Sequence, residues 1–214
     1  NSYNGRAEFK YNGNLYKAEK DASGNYLVQY NTKYAKLKSD KSIELADGTS
    51  RTISMSKDNL DVSFDGYDLE LDGTAKKLSY KHSGQEAYVS STELYLKDGQ
   101  KSLKLNSDKK IEYANGTSQL FKASSDGLDV KYDSYVASYS SSKSLSFSDG
   151  TRTMAFAGSK MELTDGSNKL AVEASETNPS IELTSGSNSM KVNKQEATLV
   201  VGTNSLKLVK DNKL

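Results

Sequence analysis

The sequence predicts an all-β protein: a repetitive antiparallel β-meander of short strands, about nine residues per strand and turn, with no significant helix. Three observations carry that prediction. Apolar residues recur in pairs two positions apart, which is the period of a strand. Short turns of Asp-Gly or Asn-Gly separate many of the pairs, and these dipeptides supply the positive φ angles of tight hairpins. No stretch after residue 40 sustains the 3.6-residue period of a helix.

Residues 1–40 hold Tyr3, Tyr11, Tyr16, Tyr26, Tyr30 and Tyr34 with looser spacing, and read as irregular strands that cap or anchor a hairpin array. Residues 41–214 form that array. Its pairs begin with Ile43/Leu45, Ile53/Met55, Val62/Phe64, Leu69/Leu71 and Leu78/Tyr80. They continue through Leu94/Leu96, Leu103/Leu105, Ile111/Tyr113, Leu128/Val130, Leu145/Phe147 and Met154/Phe156. Met161/Leu163, Leu170/Val172, Ile181/Leu183, Met190/Val192, Leu199/Val201 and Leu206/Leu208 complete the series. The glycine turns at 47–48, 65–66, 98–99, 115–116, 149–150, 165–166 and 185–186 alternate with Ser/Lys/Asp-rich turns such as "SKDN" (56–59) and "NSDK" (106–109).

Register follows from the turns. If Asp165-Gly166 is a two-residue loop, Thr164 pairs with Ser167 and Met161 with Leu170. The same count sets Leu145 against Met154, Leu94 against Leu103, Ile181 against Met190, Ile111 against Leu120 and Val62 against Leu69. Each pairing is apolar on apolar. Asp47-Gly48 fits only as a three-residue loop with a bulge, which sets Ile43 against Ile53.

The alternate positions, among them Glu44, Asp61, Ser63, Glu70, Lys104, Glu162, Lys169, Glu182 and Lys191, are polar, so one face is expected to be buried and the other wet. Roughly 18 strands spaced ~4.8 Å apart make a sheet on the order of 90 Å across. Its apolar face would exceed about 1,000 Å², more than soluble monomers leave bare. The sheet is therefore expected to be elongated and either folded over on itself or intertwined with sister chains. A third solution is face-to-face packing in a filament. Strands of five or six residues are too short for a transmembrane barrel, which needs roughly 9–11.

The stretch "SIELTSGSNSMKVNKQEATLVVGTNSLKL" (180–208) resembles the β-helical shafts of phage tail spikes and the tips of contractile injection machines. That likeness implies a rigid trimeric spike or fibre. The Lys/Ser/Asp-Gly composition also resembles spirochaete outer-surface lipoproteins with long meandering sheets, although the lipidated cysteine of that family is absent.

Composition bounds the chemistry. The formal charge is +1 with both signs interspersed, so no basic face suited to nucleic acid or anionic lipid is expected. No apolar run reaches the roughly 18 residues of a membrane helix, and the start lacks a signal-peptide pattern. An exported chain is then expected to be the mature form, at a cell or virion surface or outside the cell. With no cysteine and one histidine, His82 in "YKHSGQEAY", nitrogen- or sulfur-ligated metal sites have almost no ligands and no catalytic triad can be assembled. "DLELDGT" (68–74) begins like a calcium loop, but position twelve is Ser79 rather than a bidentate Glu, so Asp68, Glu70 and Asp72 read as strand and turn residues. "DGLDVKYD" (126–133) reads the same way. No catalytic residue, cofactor or metal ligand is assigned. Tyr95, Tyr135 and Tyr139 are the candidate contacts for a ligand or partner, because tyrosine offers large contact area at low entropic cost. The expected function is non-enzymatic: a structural or adhesive spike, fibre or filament subunit that self-associates. The alternative is a module holding a lipid, other hydrophobic ligand or glycan on its sheet, with a host or surface glycan or protein as partner.

Overall fold

A computed structural model of the chain describes residues 5–210. Tyr3 and the last four residues of the array lie outside them. All regular structure in that range is β-strand, with no helix. The chain divides into two compact units, one through Asp108 and one from Lys109.

The first unit contains β1 (Arg6–Tyr11), β2 (Asn14–Lys20), β3 (Tyr26–Tyr30), β4 (Lys33–Leu37), β5 (Ile43–Asp47), β6 (Arg51–Met55), β7 (Asn59–Phe64), β8 (Tyr67–Asp72), β9 (Lys77–His82), β10 (Gln85–Val89), β11 (Glu93–Asp98) and β12 (Lys101–Asn106). The second contains β13 (Ile111–Asn115), β14 (Gln119–Ser124), β15 (Gly127–Tyr132), β16 (Tyr135–Ser140), β17 (Ser144–Ser148), β18 (Arg152–Ala157), β19 (Lys160–Asp165), β20 (Asn168–Glu173), β21 (Ser180–Ser185), β22 (Asn188–Asn193), β23 (Glu196–Val201) and β24 (Asn204–Val209). The tyrosine-rich segment contributes β1 to β4, whose pairing runs into β5 without interruption.

Within each unit every strand pairs antiparallel with its chain neighbours and touches no other strand. Each unit is thus a single-layer meander, and the expectation that the sheet folds over on itself fails there. The reason is local. The connections are short, mostly two- and three-residue turns, and such turns only place a strand beside its predecessor.

The registers share one geometry. In the first unit an apolar ladder runs from Ala7 through Val28, Leu45, Val62 and Tyr80 to Leu103, one rung per strand. A second runs from Tyr26 through Ile43, Leu60 and Leu78 to Leu105 on the same face. The second unit repeats this with ladders from Tyr113 through Val130, Phe147, Leu163 and Leu183 to Leu206, and from Ile111 through Leu128, Leu145, Met161 and Ile181 to Leu208.

Val62 pairs with Leu69 as the turn count predicts, but most partners are displaced by two residues. Met161 faces Val172 while Leu163 faces Leu170; Leu145 faces Phe156, Leu94 faces Leu105 and Ile181 faces Val192. At 65–66 Asp and Gly form the loop, both at positive φ. At 165–166 Asp165 is the last paired residue, and the loop is Gly166-Ser167 with only the glycine at positive φ. The two loops differ by one residue in where they begin. Tyr67 resumes the strand at once opposite Phe64, whereas Ser167 stays in the loop. The loop at 48–50 has the three residues expected, with Ile43 facing Met55 rather than Ile53. Its twin at Gly116-Thr117-Ser118 also has three, so Ile111 faces Ala123 and Leu120 lies on the polar face opposite Ala114.

Candidate functional site

An antiparallel sheet with one apolar face needs a second layer to bury it. None of the described residues supplies one within either unit. Large side chains on the apolar ladders are half-buried or exposed, reaching 64% exposure at Val28 and Leu208. The expectation of one buried and one wet face is thereby corrected. Both faces meet solvent, and the four most buried residues are Ala46, Ala171, Ser42 and Ser79. Ala46, Ala171 and Ser79 lie on the polar face. Cross-strand neighbours with long side chains cover them: Tyr34 beside Ala46, Glu162 and Glu182 flanking Ala171, and Glu70 and Tyr88 flanking Ser79.

The polar face is tied together by charge. Lys169 and Lys160 approach Glu162 at 2.9 and 3.4 Å, Lys38 approaches Glu44 at 3.1 Å and Lys122 approaches Glu112 at 3.4 Å. The hydrogen bond from Lys169, with both lysine charges, holds the Glu162 carboxyl below its ordinary range. A hydrogen bond from the Tyr34 hydroxyl and one from Lys38 do the same for Glu44.

Tyr95 belongs to this face. Its ring lies 5.0 Å from that of Tyr88, its cross-strand partner, with Lys104 Nζ 5.6 Å away on the other side. Tyr88 donates its hydroxyl to Glu93, and that bond pushes the phenol up to about 12. Tyr95 is therefore half-buried in a packed cluster. Tyr135 and Tyr139 differ. They stand on the apolar face of the second unit, 62% and 47% exposed, with Tyr139 a rung between Leu128 and Leu145. Tyr95 lies in the first unit, whereas Tyr135 and Tyr139 lie in the second.

Tyr135 edges a concavity that sequence reasoning missed. A groove of about 660 Å³ runs over the apolar face of the second unit, floored by Ala137, Phe147, Met154, Leu163 and Leu170 and walled by Tyr132 and Tyr135. Ala137 is the small member of the rung Val130–Ala137–Phe147, which lies within its lining. Tyr132 and Tyr135 flank the Asp133-Ser134 turn as its closing pair, a signal already present in "YDSY". At the rim the Arg152 and Thr151 backbone N–H groups donate to Asp149 Oδ1, and the Arg152 guanidinium pairs with Oδ2 at 2.6 Å. These bonds lower the Asp149 carboxyl and raise Arg152, so both stay charged. The groove can hold an apolar or aromatic surface, with a zwitterionic pair at one edge.

The residues weighed for chemistry are each engaged locally. The His82 ring stacks on Tyr67 at 3.7 Å, and its Nδ1 lies 3.0 Å from the Gly66 carbonyl oxygen. Ser63 Oγ donates to Asp68 at 2.5 Å, Ser79 Oγ to Glu70 at 3.3 Å and the Ala75 N–H to Asp72 at 2.8 Å. No three His, Asp or Glu residues converge among the described residues.

No family model matches the chain, and no curated protein matches it. Among solved structures it is similar to the wild-type TCP10 domain of Danio rerio CPAP in complex with a peptide of Danio rerio STIL. That match has 6% identity, covers 75% of this chain and 94% of that one, and has a TM-score of 0.46. A second structure of the wild-type TCP10 domain of Danio rerio CPAP matches with 9% identity over 88% and 94% of the two chains, at a TM-score of 0.26. PorZ, a surface component of the type-IX secretion system of Porphyromonas gingivalis, matches with 10% identity over 96% of this chain and 44% of that one, at 0.18. These distant likenesses transfer no function.

Proposed function

We propose that the chain is a non-enzymatic structural subunit of a cell or virion surface, a stiff β-array that self-associates by packing its apolar faces against those of other copies. The observation that carries this reading is the pair of continuous apolar ladders in each unit, left open to solvent by the chain's own fold. Twelve strands at ~4.8 Å spacing give each unit a face roughly 53 Å long, and two rungs of side chains make it about 14 Å wide. That is roughly 700 Å² per unit, close to the ~800 Å² that each partner contributes to a stable interface. The face is almost free of charge along both ladders, so a second copy meets it without desolvating ions. The likeness of the repeat pattern to spike shafts and spirochaete surface sheets supports the surface setting.

The groove favours a second reading, a module that binds an apolar ligand or a sugar ring against Tyr132 and Tyr135; its volume is that of small-molecule sites. Light scattering across a hundredfold range of concentration separates the two. Self-association gives a mass that rises above the monomer and falls back when Leu163→Lys breaks the face. A monomer at every concentration refutes the structural reading and leaves the binding module.

A further inference from the structure

The two units carry the same run of hairpins. "IELADGTSRTISMSKDNLDVSFDGY" (43–67) and "IEYANGTSQLFKASSDGLDVKYDSY" (111–135) align without a gap, sharing Ile-Glu, Gly-Thr-Ser, Leu-Asp-Val and the closing Asp-x-Tyr. Their structures agree as well. Arg51 faces Phe64 as Gln119 faces Tyr132, and the two turn aspartates, Asp65 and Asp133, both sit at positive φ. The Asp65 and Asp133 N–H groups donate to the matching carbonyls of Ser50 and Ser118. Phe64 and Tyr67 of the first unit therefore correspond to Tyr132 and Tyr135, the wall of the groove in the second.

What covers the two aromatic pairs differs. In the first unit the Arg51 guanidinium lies 4.7 Å from the centre of the Phe64 ring and donates to Asp65 at 2.8 and 3.1 Å. The His82 ring stacks on Tyr67. Each aromatic ring thus has a planar nitrogen group against it, and the aspartate has its countercharge. In the second unit Gln119 stands where Arg51 does, accepting a hydrogen bond from Asn115. Asp149 is in step with Tyr135, as His82 is with Tyr67. No ring or cation stacks on Tyr132 or Tyr135 among the described residues. Both are more exposed than their counterparts. Asp133 makes no side-chain hydrogen bond or ion pair among these residues. The second unit keeps the acid and the aromatic pair and lacks the cation. The groove's border has the same bias. Asp149 and Asp165 outnumber Arg152, while Lys169 is paired with Glu162 on the polar face.

We propose that the Tyr132–Asp133–Tyr135 end of the groove binds a planar organic cation, an amidinium or guanidinium with an apolar body, in the place that Arg51 holds in the first unit. The cation pairs with the Asp133 carboxylate and lies against the tyrosine rings, and the apolar body runs over Ala137 and Phe147. A neutral ligand leaves the Asp133 charge unanswered. The inference rests on the binding-module reading and narrows it to one class of ligand.

Benzamidine has this chemistry, with benzamide as its neutral isostere and benzoate as its anionic one. Each is titrated into the dilute, 15N-labelled full-length protein and followed by NMR. Benzamidine is expected to shift the amides of Tyr132 to Tyr135 saturably, with benzamide at least about tenfold weaker and benzoate weaker still. Gln119→Arg supplies the first unit's own cation and should weaken benzamidine binding about tenfold. Asp133→Asn should do the same, and asparagine tolerates the positive φ of this turn. An unchanged amide spectrum away from the hairpin shows that each variant folds. Benzamide bound as tightly as benzamidine, or benzamidine binding unchanged in either variant, overturns the cation assignment while a groove for neutral apolar ligands stands. No saturable shift at the groove with any of the three compounds overturns the inference and the binding-module reading together.

Discussion

Replacing Leu170 by Asp tests how the apolar face holds the fold. Leu170 is half-buried in β20, between Leu163 and Leu183 on the neighbouring strands. Full burial of a leucine side chain is worth about 1.5–3 kcal/mol, so losing a half-buried one removes about 1 kcal/mol. Asp is a poor strand residue, which adds up to about 1 kcal/mol. The carboxylate still reaches water across the open face, so the desolvation cost of a sealed core does not apply. The sum is about 2 kcal/mol. Lys191→Ser, on the polar face between Glu182 and Thr198, should cost about 0.5 kcal/mol or less. Urea titrations followed by circular dichroism, at concentrations low enough to suppress association, give both values. A cost above about 4 kcal/mol for Leu170→Asp would mean the face is sealed within a single chain. A cost no greater than that of Lys191→Ser would mean the ladders do not stabilise the sheet. Either result refutes the reasoning.

Gly127→Ala should destabilise by more than about 2 kcal/mol, because at φ +151° a Cβ would lie 2.0 Å from the Tyr139 carbonyl oxygen. Gly186→Ala has open space around its Cβ and only positive-φ strain, about 1 kcal/mol; comparable melting temperatures for the two would contradict this. Stability should also fall at both ends of the pH scale. Hydrogen bonds and charge hold Glu44, Asp65 and Glu162 below their ordinary ranges, so their contribution is present above about pH 4 and lost as pH falls through their lowered values. Tyr88 is raised from 10.0 to about 12, so its contribution is intact below pH 10 and lost between there and about pH 12. Thermal melts against pH check both limbs, and Tyr88→Phe should flatten the alkaline one; an unchanged alkaline limb would remove Tyr88 from the account.

Strand, turn and face were legible because they depend on neighbours close in the chain. The pairs at i and i+2 located the strands, as Ile181/Leu183 in β21 and Met190/Val192 in β22 show. Asp-Gly and Asn-Gly located many of the turns. Register was only half legible. Moving a loop by one residue slides partners by two and keeps every apolar residue on its face, so matching apolar to apolar cannot separate Met161–Leu170 from Met161–Val172. The residue after the glycine does not separate them either: Gln85 resumes the strand after Gly84, whereas Gln100 stays in the loop after Gly99. The candidate site divides along the same line. Tyr135 and Tyr139 were identifiable as aromatic positions on one strand face. The groove beside Tyr135 was not, because its lining comes from several strands between Val130 and Leu183, which only their registers set side by side.

The sequence by itself determined an all-β meander with two unlike faces, since a period of two and short polar turns leave a chain little else to form. Tertiary structure alone decided that, among the described residues, neither unit supplies a second layer for its own apolar face. Whether a sheet closes over itself depends on contacts between strands far apart in the chain, and turns this short bring no such strands together.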